Sequence, residues 1–96
     1  MKQYKYSRDV YSALEGIAFR QADTSYMLER YGADGAAVEL EENRKTVSGL
    51  FDYLDALAVP FWVQNAALAF GRDWRRYKSG SLSEWLADRG ISPTAI

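Results

Sequence analysis

The residues best equipped for chemistry gather near the end of the chain, in the stretch Arg72-Asp73-Trp74-Arg75-Arg76-Tyr77-Lys78. Four cations, Arg72, Arg75, Arg76 and Lys78, alternate there with two aromatic rings. Guanidinium groups grip phosphate oxygens in pairs, and rings between them can stack on bases. That spacing offers an anion or nucleic-acid contact. The same cations in a helix's last turn would also complement the negative end of its dipole, with Asp73 offsetting part of the charge. The helix expected after this stretch, Leu-Ser-Glu-Trp-Leu-Ala-Asp-Arg, completes the outline of a helix-turn-helix. It carries Glu84, Asp88 and a single arginine, whereas a helix that reads base edges needs more donors.

Carboxylates form a second group. Glu39 and Glu42 are spaced E-x-x-E, and Asp52 and Asp55 are spaced D-x-x-D. Such pairs hold Mg²⁺ when two helices aim them at one another. Here both fall on one expected helix, and residues 39 and 52 stand about 20 Å apart along it. A solvated acidic face accounts for them. The chain has no histidine and no cysteine, which removes the commonest general base, the commonest transition-metal ligand and all thiolate chemistry. We therefore expect no enzyme, no metal site and no cofactor.

Fourteen aromatic residues remain, including all three tryptophans within 62–85. Most should be core. Large stiff rings also leave slots, and apolar walls with a few hydroxyls are the usual small-molecule site. Trp62, Trp74 and Trp85, with Tyr26, Tyr53 and Tyr77, are the candidates for such a pocket, which would take a small apolar or aromatic ligand. Phe61 and Leu68 cannot share a helix face with Val63, Phe70 and Trp74. Beside Arg72 and Arg75 they form a candidate protein interface, because aromatics and arginine are enriched at such surfaces.

Four helical stretches must position these residues, and no segment alternates long enough to read as a strand. The first should start near Ser7 to Asp9 and run to Tyr31, through the weak run Ala22 to Ser25, with Gly32 just past its end. Its apolar seam is Val10, Leu14, Ile17, Leu28 and Tyr31. Asp34 can cap a second helix over 35–58, whose apolar face is Leu40, Val47, Leu50, Phe51, Leu54 and Leu57. Pro60 ends it and suits the first position of a third helix, expected to reach Lys78. Val63, Ala66, Ala67, Phe70, Trp74 and Tyr77 should face the core there, with Gln64, Gly71, Arg72 and Arg75 opposite. Ser81 and Glu84 make a capping box for a short fourth helix over 82–89. Gly90 should close it, with Ile91 folding back against it.

Ninety-six residues suit one domain, which should bury roughly 65% of the surface its unfolded chain exposes. The fold class expected is all-α: a compact bundle of three longer helices plus a short C-terminal helix. Residues 1–7 would be an arm and 92–96 a loose tail. The net charge of −1 conceals an acidic middle, with two Lys/Arg against six Asp/Glu in 32–59, and a basic end, with five against three in 60–96. A polar start and the lack of a long apolar run suggest a cytoplasmic protein. These residues carry no recognised family signature. The leading expectation is a small non-enzymatic adaptor or regulator working through protein contacts, with another protein or with itself as a homodimer. A ligand-binding bundle comes second, nucleic-acid binding third, and no membrane role is expected.

Overall fold

A computed structural model of the chain describes residues 4–73 and 81–93. Its order is β1 (Tyr4–Tyr6), α1 (Arg8–Gly35), α2 (Ala37–Ala56), α3 (Phe61–Arg72), α4 (Leu82–Asp88) and β2 (Ile91–Pro93). Helix dominates, so the all-α class holds at the coarse level. The departure is a short parallel pair, β1 beside β2, with Tyr4 opposite Ile91 and Tyr6 opposite Pro93. A three-residue strand is too short to show an alternation, which is why the sequence hid it. The pairing ties part of the expected arm to part of the expected tail: Ser92 and Pro93 are strand. Among the described residues, no helix is long and apolar enough to cross a membrane.

Helix α1 is the spine. The Ser7 hydroxyl caps it by accepting from the Val10 amide at 3.3 Å, and it passes unbroken through 22–25. Helical geometry fails only at Gly32, whose φ of 75° favours glycine, and resumes for one short turn to Gly35. Helix α2 returns antiparallel, so that Leu50 lies near Gly16 and Asn43 near Arg20. The buried Asn43 amide donates to the Arg20 carbonyl and to the Thr24 hydroxyl, both at 3.4 Å, and its Oδ1 accepts from the Arg20 guanidinium. This gives Thr24, within the weak run Ala22 to Ser25, a polar partner on α2. Asp34 does not cap α2. Ala36 occupies that position, and no side chain caps the helix.

Helix α3 lies along the other side of α1 and touches α2 little. It crosses α1 so closely that Gly71 packs against the Ala18 carbonyl and Gln21. It ends at Arg72, well before Lys78, abreast of Ser25, whose hydroxyl donates to the Arg72 carbonyl at 3.4 Å. That end decides the extent of the core. Val10, Leu14 and Ile17 are buried beside α3, together with Leu54, Val63, Ala67 and Phe70. Leu28 and Tyr31, expected on the same seam, lie beyond α3 and are exposed, at 46% and 56%. Leu57 is exposed as well, because α2 stops at Ala56. Conversely Gln64 and Gly71, expected to face outward, are buried.

Helix α4 follows its sequence signals closely. Ser81 Oγ accepts from the Glu84 amide at 3.1 Å, Gly90 takes φ 79°, and Ile91 is fully buried. Trp85 anchors the helix: its indole N–H donates to the Ala66 carbonyl at 2.9 Å, and its ring packs edge-on to Phe70 at 5.8 Å. The Arg89 guanidinium covers that ring at 3.3 Å from its centroid.

Candidate functional site

The corner joining α2 to α3 begins with a stop. Pro60 cannot continue a helix ladder, and it sits at the N-cap of α3 rather than its first turn. Before it the chain tightens. The Leu57 amide donates to the Tyr53 and Leu54 carbonyls, Ala58 to Asp55, and Val59 to Leu54 at 3.0 Å. Ala58 is held at φ 59°, a left-handed conformation that costs a residue with a Cβ about 1–2 kcal/mol. The wholly buried Gln64 secures the corner from α3. Its amide donates to Asp55 Oδ1 at 2.8 Å and to the Val59 carbonyl at 3.0 Å, while Oε1 has no partner among the described residues.

This corner pushes apolar side chains outward. Tyr53, Leu57, Phe61 and Trp62 fall within ten residues of chain, and all four are exposed, Phe61 at 69%. Together they present roughly 400 Å² of surface, the size at which an apolar patch on a monomer is often functional. Tyr4 from β1 meets the Trp62 ring edge-on at 5.1 Å, so the strand pairing sets one border of the patch. Beside it, Tyr6 packs on the core, and burial, helped by Tyr4, raises the pKa of its hydroxyl above the usual tyrosine range.

Of the interface residues expected from sequence, Phe61 therefore belongs to an exposed patch. Leu68 is half-buried against the core, Arg72 is exposed at the far end of α3, and Arg75 lies outside the described residues. Phe61, Leu68 and Arg72 all lie on α3, at i, i+7 and i+11, and so share one side of that helix. Of the six pocket residues, the four that are described lie apart from one another. Trp62 and Tyr53 sit on the outer corner, Trp85 is committed to Ala66 and Phe70, and Tyr26 is exposed toward the other end of α1. With α1 and α2 antiparallel, Tyr26 and Tyr53 stand about 20 Å apart along the pair. Trp74 and Tyr77 fall outside the described residues, as do Arg76 and Lys78 of the basic stretch. On α2, Glu39 and Glu42 occupy one end and Asp52 and Asp55 the other, and Asp55 is engaged by Gln64. Sequence reasoning missed Leu57 and Tyr53 as surface residues. For Leu57 the available signal was Pro60, which ends α2 early enough to leave it past the helix end.

No family model matches the chain, and comparison with curated proteins and with solved structures finds no match. Fold and surface together define a small helical domain, with a tryptophan-anchored core and an apolar corner.

Proposed function

We propose that this chain is a small non-enzymatic helical adaptor that works through protein contacts and associates with itself. The observation that carries the reading is the exposed corner of Tyr53, Leu57, Phe61 and Trp62. Soluble monomers seldom present four large apolar side chains so close together without a partner for them. Two such patches bury about 800 Å² in all, short of the roughly 1,200 Å² of a stable specific interface. The dimer is therefore weak and concentration-dependent, with a Kd on the order of 100 μM.

Sedimentation velocity over a concentration series tests this. The wild-type chain should move from monomer toward dimer with rising concentration, while Phe61→Asp stays monomeric with unchanged helicity. A strict monomer at millimolar concentration, with no protein partner retained by the immobilised chain, would remove the proposal.

A further inference from the structure

The opposite end of α1 carries a second surface that the self-association reading does not use. Among the described residues, the last third of α1 and the first turns of α2 continue beyond the end of α3, as a two-helix tip. Between them lies an open groove of about 320 Å³ lined by Met27, Tyr31, Gly35, Ala36 and Glu39. Its walls are a thioether, an aromatic ring and small residues, with one carboxylate. Exposed Leu28 and Val38 flank it.

The tip is net acidic. Residues 29–44 hold five carboxylates, Glu29, Asp34, Glu39, Glu41 and Glu42, against Arg30 and Arg44. Both cations are engaged. Arg44 makes paired hydrogen bonds to Glu41, at 2.9 and 2.6 Å. Arg30 lies over the Tyr31 ring, 5.8 Å from its centroid. Asp34, Glu39 and Glu42 make no side-chain hydrogen bond or ion pair among the described residues. Glu39 therefore brings an uncompensated negative charge into an apolar groove beside a ring that already receives a guanidinium.

We propose that this groove docks a basic segment of a partner protein, in which a lysine or arginine is flanked by apolar side chains. The alkyl stem of the cation lies along Met27 and Tyr31, where long cationic side chains cover apolar surface well. Its charged head reaches Glu39 and the face of Tyr31, a combination of charge pairing and cation–π attraction. The flanking apolar residue covers Leu28 or Val38. With the apolar corner at the other end of α1, the molecule has two separate contact surfaces, as a bridging adaptor requires.

Fluorescence anisotropy with a labelled peptide of alternating lysine and leucine tests the assignment, with the glutamate-for-lysine peptide as control. Wild-type protein should bind the basic peptide and ignore the acidic one. Glu39→Lys and Tyr31→Ala should each weaken binding about tenfold or more. Asp52→Lys makes the same charge change on the same helix, about 20 Å away, and should leave binding within about twofold. All three positions are exposed, and circular dichroism confirms that each variant is folded. Equal loss in Glu39→Lys and Asp52→Lys would reduce the interaction to diffuse charge attraction and overturn the proposal, as would no binding at low salt. Tighter binding of a peptide copying residues 71–80 of this chain would also overturn it, by making a second copy the occupant. Phe61→Asp should leave peptide binding intact, and Glu39→Lys should leave the dimer intact, so the two proposals fail separately.

Discussion

A Cβ added to Gly71 would lie within van der Waals overlap of the Ala18 carbonyl oxygen and 2.7 Å from Gln21 Cβ. Neither neighbour can yield easily, because one is the backbone of the helix it crosses. Gly71→Ala should therefore destabilise by about 1–3 kcal/mol, the range for overpacking a tight contact, and urea unfolding measures it. Leu14 and Leu28 make a second test, since both sit on the same seam of α1. Leu14 is fully buried beside α3, while Leu28 lies past its end. Leu14→Ala should cost about 2–5 kcal/mol, and Leu28→Ser should stay within about 0.5 kcal/mol. Similar losses at the two positions would mean that the core extends further along α1 than α3 reaches.

At the scale of elements, α4 and β2 join the core through the buried side chains Leu82, Leu86 and Ile91 and through Trp85. The indole–Ala66 hydrogen bond and the ring contact with Phe70 hold α4 against α3, and β2 in turn holds β1. Trp85→Phe keeps a ring but removes the N–H donor, leaving the Ala66 carbonyl without it. A loss of about 1–2 kcal/mol is expected. Hydrogen exchange should rise first at the amides of α4 and β2, and those of α1 should keep their protection. Uniform loss across the chain would show that α4 is part of the global folding unit. Helix α2 contrasts with α4. It is long, yet its buried residues are only Asn43 and Leu54. Its hold on α1 combines the apolar Leu50, Phe51 and Leu54 with the polar clasp around Asn43, so Asn43→Leu should loosen the α2 register. A drop in α2 amide protection would report this.

For the whole molecule, the decisive feature is the mismatch in helix length. Helix α1 has 28 residues and α3 has 12. The long dimension of the molecule, 42 Å, matches the length of a helix the size of α1. Packing therefore closes in the middle and leaves surface at both ends: the apolar corner at one and the acidic groove at the other. Raising the salt concentration should weaken peptide binding at the tip, which pairs charges, and change corner-mediated dimerisation far less, because apolar burial is not screened. Anisotropy and sedimentation at low and high salt would separate the two. Equal sensitivity would show that charge, not apolar contact, holds the dimer.

The sequence by itself determined the local features. Ser7, Gly32, Pro60, Ser81 and Gly90 mark helix ends through dihedral preference and side-chain capping, and each acts within a few residues of its own position. Their order gave the helix count, and the periodicity of Val10, Leu14 and Ile17 gave the spine. What the tertiary structure decided was where each seam stops being covered. Leu28 and Tyr31 repeat the spacing of Leu14 and Ile17, but burial depends on a neighbouring helix being alongside, and α3 ends too soon. Gln64 is polar, yet it is buried because it satisfies Asp55 and the Val59 carbonyl at a corner that exists only once α2 and α3 meet. The pairing of Tyr4 with Ile91 joins residues nearly a full chain length apart, beyond the reach of any local pattern. Both candidate surfaces include side chains on expected core seams, Leu57 at the corner and Leu28 and Tyr31 at the tip, that the packing of three unequal helices leaves outside.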